Sequence, residues 1–190
     1  MPFINFLASM LLAAGVSIFF IALYFIRLAK KQEVQSLVVP GFVIGAFDFL
    51  SGFTMSTQWP LPGSYNILFG DPMLFLGLIM LAGTYMIYKK MDIKPLSIFG
   101  FLLGIYILIE AVAIVTLGLE SGWTHLLPAL GMYVFSGAAG IFSPLLYTKN
   151  KNAYYFLAIL LILAAIATLF TGYSAVYGHL SGYTGSPPFS

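Results

Sequence analysis

Apolar residues run along this chain in six long stretches, separated by short polar segments rich in Pro, Gly, Lys and Tyr. A helix needs about 20 predominantly apolar residues to cross the hydrocarbon of a bilayer, with a working range of roughly 17 to 25. Six stretches come near that length: Phe3 to Ala29, Ser36 to Thr57, Pro72 to Tyr88, Pro95 to Leu119, Leu126 to Tyr147 and Ala153 to Tyr177. The pattern predicts an all-α polytopic membrane protein, a single bundle of six transmembrane helices over residues 1–177, with residues 178–190 as a flexible external tail.

Composition agrees. With 61% hydrophobic, 17% aromatic and only 7% charged residues, the chain lacks the polar side chains to cover a water-soluble globule, so lipid must be the solvent for most of it. The N-terminal run has no basic segment before it, and its positive charges follow it, so it is expected to stay as the first transmembrane helix and not to act as a cleaved signal. Cysteine is absent, which removes disulfides, thiolate nucleophiles and Cys-type metal ligation.

All eight Lys and Arg residues fall in three clusters, Arg27/Lys30/Lys31, Lys89/Lys90/Lys94 and Lys149/Lys151, each at the end of an apolar run. Basic residues flanking spans mark the cytoplasmic side, so the first, third and fifth loops are expected inside and both termini outside a plasma membrane. The formal charge of +2 is then a topology signal, and no nucleic-acid partner is expected. The outer loops hold the Gly, Pro, Tyr and Trp. Gln58 to Pro72 carries the punctuation of an ordered turn, expected to fold back on the helix ends. The Glu120 to His125 loop is short enough to force a helical hairpin, with Trp123 at headgroup level.

Small residues at four-residue spacing let helices approach closely in lipid. Gly41/Gly45, Gly100/Gly104 and Ser136/Gly140 therefore nominate the second, fourth and fifth helices for the bundle centre. The aliphatic run Phe156 to Leu163 marks the sixth as lipid-facing or partner-facing. A faint repeat also shows: each basic cluster is followed by Asp48, Glu110 or Thr168, and then by Ser51-Gly52, Leu117-Gly118 or Thr171-Gly172.

Asp48 and Glu110 carry the main chemical signal. Each lies deep inside a span, where an acid costs about 2.5 to 3.5 kcal/mol on insertion scales and usually faces a bundle interior or a water-filled cavity. Every Lys and Arg is at the inner surface, so these carboxyls must be protonated, hydrogen-bonded or matched by a bound cation. Tyr106 stands one turn from Glu110 and Ser51 about one turn from Asp48, each on the face of its acid. These four, with Tyr65 and Asn66 in the loop above, form the expected ligand-binding set. Asp71, Glu120 and His125 at the outer helix ends are a candidate metal site, although Asp71 before Pro72 also reads as an ordinary helix N-cap. His125 and His179 fall in a loop and in the tail, which disfavours a haem. No phosphate loop, nucleophile elbow or catalytic triad is present in the sequence, so no catalytic activity is expected.

The stretch Trp59-Pro60, Pro62-Gly63, Tyr65-Asn66 and Phe69-Gly70-Asp71-Pro72 resembles a family of small polytopic membrane proteins of unknown function found mainly in archaea. The resemblance implies a multi-helix membrane protein with that loop as its signature, and it lends no activity. The residues themselves support an outward-opening acidic pocket for a proton or small cation. The alternatives are a quinone- or lipid-binding subunit of a redox complex and a purely structural membrane subunit. Lipid is the expected partner, with a homo-oligomer or a larger membrane complex as the assembly.

Overall fold

The computed structural model describes residues 6–120 and 122–182. Six helices account for most of them: α1 (Phe6–Ala29), α2 (Val38–Gln58), α3 (Asp71–Tyr88), α4 (Leu96–Thr116), α5 (Trp123–Phe142) and α6 (Lys151–Gly182). Together with the turns that extend them, all six are long and apolar enough to cross a membrane. The protein is therefore all-α and of the multi-pass class. The helices end close to where the pattern placed them, with two exceptions: α5 stops at Phe142 and the expected span to Tyr147 continues as a 3-10 turn, and α6 runs on to Gly182, past the expected limit at Tyr177. The remainder of the expected tail, residues 183–190, lies outside the described residues.

The basic clusters do local work at the helix ends. Gln32 N–H bonds to Arg27 O (2.9 Å) and Lys31 N–H to Leu28 O (3.1 Å) at the end of α1; Met91 bonds to Met86 O (2.8 Å) and Lys90 to Ile87 O (3.0 Å) at the end of α3. This paired pattern satisfies carbonyls that a helix end leaves open, and it requires a left-handed residue at the turn. Lys31 (φ 55°) and Lys90 (φ 54°) supply it, and Lys149 (φ 52°) is likewise left-handed after the 3-10 turn that follows α5. Glycine would fit more cheaply, but lysine places positive charge at the negative end of each helix dipole.

Each helix packs on its chain neighbours and α6 closes onto α1, giving a ring of six. Four antiparallel pairs are extensive, α1 with α6, α2 with α3, α4 with α5 and α5 with α6, while the seams between α1 and α2 and between α3 and α4 are sparse. Glycines explain the tight pairs. A Cβ on Gly52 would stand 2.3 Å from the Leu74 backbone nitrogen, and one on Gly77 2.3 Å from that of Phe49. Gly104 meets the Ile141 nitrogen at 2.6 Å, and Gly15 and Gly172 meet Leu169 and Leu12 across the α1/α6 pair. Backbones this close maximise dispersion contact, the attraction that remains when lipid replaces water. The members of the faint repeat, Asp48, Glu110 and Thr168, are all buried, on α2, α4 and α6.

Two expectations about the centre are corrected. The run in α6 is not a purely outward element: Leu157, Ala158, Leu161, Ala164 and Ala165 are buried with Ile18, Ala22 and Phe25 of α1 and Ala139 of α5. Aliphatic side chains suit lipid and protein neighbours alike, so composition does not separate the two faces, whereas the alanines that admit α1 do. Conversely α4, nominated for the centre, is the least buried of the six. Its glycines serve α5 alone, and Phe99, Leu102, Ile109 and Val112 are exposed.

A cavity of about 240 Å³ occupies the middle of the ring. Its lining on α1 runs from Leu7 to Phe25, 18 positions and so about 27 Å at the helical rise, close to the thickness of a hydrocarbon core. The walls are almost wholly apolar, with Met10, Leu76, Met80, Leu103 and Ile107 among them, and a few hydroxyls such as Ser97, Ser136 and Tyr133 interrupt them.

Candidate functional site

Asp48 sits halfway along α2 and is completely buried. The Ser17 hydroxyl, halfway along α1, donates to its Oδ2, which ties the sparse α1/α2 seam at its middle. Oδ1 has no hydrogen-bond partner among the described residues. Ser51, expected to serve this carboxyl, instead donates to the Asp48 backbone carbonyl at 3.2 Å. That local bond is the ordinary recourse of a helical serine.

Asp71 holds a second polar centre. The Ser56 hydroxyl of α2 donates to its Oδ1 (2.6 Å) and the Tyr106 hydroxyl of α4 to its Oδ2 (2.9 Å). One carboxylate thus joins three helices, including the two across the sparse α3/α4 seam, where the Tyr106 ring also meets Phe75 edge-on. Asp71 is not the N-cap expected from Asp-Pro: the cap position is Gly70, and no side chain caps the helix. A π-type turn, Asn66–Gly70, leads into α3, so the Asp71 N–H already bonds to Ile67 O and the carboxylate is left for its neighbours.

Glu110 follows Tyr106 by one turn of α4. It is only 5% exposed, and neither carboxyl oxygen has a hydrogen-bond partner among the described residues. Asp71 lies within electrostatic reach of it. The structure does not bring Asp48 and Glu110 to a common partner. Asp48 is eight positions below Ser56 on α2, about 12 Å at the helical rise, whereas Glu110 lies a turn beyond Tyr106, which bonds to the same carboxylate as Ser56.

The loop residues have structural partners. Asn66 is fully buried; its side-chain oxygen accepts from Leu61 N–H (2.9 Å), and its amide donates to Leu61 O and to Gly63 O, closing the loop on itself. Tyr65 stacks on Phe69 and donates to Leu119 O at 3.3 Å, joining this loop to the end of α4. The loop does fold back onto the bundle, where Tyr133 of α5 donates to Leu68 O. The candidate metal set is not assembled: Asp71 faces hydroxyls, His125 is exposed at the start of α5, and no three His, Asp or Glu side chains converge on a metal position among the described residues.

A family model described as protein of unknown function (DUF981) matches residues 1–182. The chain belongs to this family. The DUF981 match spans every helix and both polar centres. No curated protein and no solved structure matches the chain.

Three residues at these centres carry no motif: Ser17, Ser56 and Tyr133. Ser17 has a signal, since it is one of two hydroxyls, with Ser9, on a run that is otherwise apolar from Ala8 through Ala22, and the one at mid-span. Ser56 lies in Thr54-Met55-Ser56-Thr57, where Thr54 and Thr57 turn their hydroxyls to their own helix and sequence alone does not single out the one that bridges.

Proposed function

We propose that this DUF981 protein takes up an elongated apolar molecule, a lipid or a quinone tail, in its central cavity, alone or as a subunit of a larger membrane assembly. The observation that carries this reading is the cavity itself: continuous along α1 from Leu7 to Phe25 and walled by apolar side chains from five helices, with Leu37 and Gly41 at the start of α2 completing the ring. Ligand sites for such molecules are mostly apolar with a few placed polar groups, and Ser97 and Ser136 are among the lining residues, their hydroxyls buried without a hydrogen-bond partner among the described residues.

The test is extraction. The protein purified in mild detergent is expected to retain one apolar species in near-stoichiometric amount by mass spectrometry. Leu76→Trp, which adds bulk to a lining residue, should lose that species while remaining folded. Equal recovery from both forms sinks the proposal.

A proton or small cation held by the buried acids is the second reading. It is favoured by Glu110, whose two oxygens are buried without partners among the described residues. In either case we place the protein in the plasma membrane with the three basic loops cytoplasmic and both termini outside. Single cysteines at Lys90 and Pro62, in a chain that has none, should react with impermeant reagents from opposite sides, Pro62→Cys from outside. Reaction of both from one side overturns this orientation.

A further inference from the structure

The wall of the cavity is not equally firm all round. α4, α5, α6 and α1 are joined in series by extensive pairs, and α2 forms another with α3, so the ring divides into a four-helix body and a two-helix hairpin. The cavity lies between the two. α3 lines it from Pro72 to Ile87, and most of the facing wall comes from the body. On the α1 side, α2 stands behind the wall, fastened by the Ser17–Asp48 bond and by Met10 and Ala13 packed with Met55. At the α3/α4 seam no further helix stands behind, and Phe75, Phe99 and Leu102 on its rim are exposed.

This seam is fastened at one end only. At the Asp71 end Tyr106 donates to the carboxylate and its ring meets Phe75, while Leu68 of the π-type turn packs with Leu11, Ile107 and Tyr133. Toward the basic loops no side-chain hydrogen bond crosses the seam among the described residues: Thr84 turns its hydroxyl to its own helix, and the Ser97 hydroxyl has no partner there. Close glycine packing is absent from this half as well. Gly77 serves α2, and Gly104 and Gly140 hold α4 to α5, whereas a Cβ on Gly83 would meet only a Leu96 methyl at 3.5 Å. A glycine inside a helix weakens it relative to alanine, and at position 83 no close approach offsets that.

Parting two apolar helices in lipid exchanges side-chain contacts for acyl-chain contacts and meets no hydrophobic penalty. The stretch from Phe75 to Tyr88 is 13 positions, about 20 Å at the helical rise, and the loop 89–95 tethers α3 to α4 without packing them together. We infer that the half of the α3/α4 seam nearer the basic loops is a lateral gate: the α2/α3 hairpin, held at its Asp71 end, swings from α4 and admits the ligand to the cavity directly from the bilayer. This rests on the proposed apolar-chain reading and goes further by naming the route of entry.

The experiment uses the full chain in lipid nanodiscs, to which an amphiphile, hexadecanol carrying a mid-chain diazirine, is added. Illumination at intervals and peptide mass spectrometry separate adducts on lining residues such as Met80 from adducts on the exposed face, such as Ile109. In this Cys-free chain, Ala82→Cys with Phe99→Cys puts two thiols on the rim of the seam and outside the cavity lining, where a bifunctional thiol reagent joins them. Leu12→Cys with Gly172→Cys, joined across the close α1/α6 pair, is the control.

The joined seam should lose the lining adducts and keep the outer ones; the same variant before joining, and the joined control, should keep both. Lining adducts that form as fast in the joined seam as before joining overturn the gate and leave the chain reading standing. Loss in the joined control too, or thiols at 82 and 99 that cannot be joined, also overturns the gate. Lining adducts in no form overturn it as the route of exchange, and whether an apolar species is retained on extraction then decides separately if the chain reading falls with it.

Discussion

Ser17 and Asp48, each at the middle of its helix, meet across the sparse seam between α1 and α2, with the serine hydroxyl donating to a carboxylate that no solvent reaches. Elsewhere that seam is held by the apolar cluster of Met10 and Ala13 of α1 with Met55 of α2 and Met73 of α3, while α1 spends its main face on α6 and α2 its own on α3. The Ser17–Asp48 bond is the polar contact that fixes the seam at mid-depth.

Ser17→Ala should consequently cost more than the loss of one small side chain. It leaves both oxygens of Asp48 buried without a donor, a penalty of about 1–3 kcal/mol. Asp48→Asn should cost less, because the amide oxygen still accepts from Ser17. Unfolding in detergent, followed by circular dichroism, checks the order. Ser17→Ala with wild-type stability would show that the bond does not join the helices.

Glycine positions give a sharper contrast. Gly77→Ala and Gly104→Ala put a methyl within 2.3 Å and 2.6 Å of backbone nitrogen on the paired helix, whereas at Gly83 the nearest atom is a Leu96 methyl at 3.5 Å. Backbone cannot step aside as a side-chain tip can, so the first two should lower the unfolding temperature markedly. Gly83→Ala should be neutral or stabilising, by up to about 1 kcal/mol of helix propensity. Comparable tolerance at all three positions would refute the close-packed pairs.

The small-residue spacing exposed these contacts in the sequence, but it did not say which helix each glycine serves. Gly100 and Gly104 read as a signpost to the bundle centre and turned out to mark only the α4/α5 pair. The error has a physical source. In lipid, an apolar side chain carries no information about whether it faces protein or solvent, so the face of α6 that packs on α1 was illegible in Phe156 to Leu163. Span positions were readable because length and apolarity alone decide them. The acids were readable as anomalies, since a carboxyl at depth demands an explanation wherever it points. Their partners were not: Ser17, Ser56 and Tyr106 each reach the acid from the neighbouring helix, and the pairing depends on how each helix is turned about its axis, which the apolar pattern does not record. Asp-Pro looked like a cap because the π-type turn ahead of it leaves no trace in composition.

Asp92, outside the spans in the loop between α3 and α4, gives the pH prediction. The Lys94 backbone N–H (3.1 Å) and then its ammonium (3.1 Å) bond to the carboxylate and hold it below the ordinary aspartate range. A depressed folded-state value means a contribution to stability that is present above the unfolded pKa and lost as pH falls through the folded one. The group is fully exposed, so solvent screens the pair and the effect on stability should be small. Carboxyl resonances of labelled aspartate should show Asp92 titrating below a model peptide in wild type. Lys94→Ala keeps the backbone donor and removes the ammonium, so it should move the value part of the way back up, and an unchanged titration would rule out the ammonium as a cause.

Asn66 separates a structural role from a binding one. Its amide group donates to Leu61 O and Gly63 O while its oxygen accepts from Leu61 N–H, all within one buried loop. Asn66→Asp keeps the size but sets a carboxylate oxygen against two carbonyl oxygens, and it buries a charge whose nearest lysines are at the far end of the bundle. Asn66→Ala loses the bonds without adding that repulsion. If the residue serves the loop, Asp should be worse than Ala, with both lowering the unfolding temperature, and added amphiphile should not restore the difference. A ligand-binding role predicts the reverse signature: both variants fold as wild type, and only ligand-dependent stabilisation is lost. Thermal unfolding of the three forms with and without amphiphile distinguishes the two, and stability equal to wild type in Asn66→Asp would remove Asn66 from the loop's support.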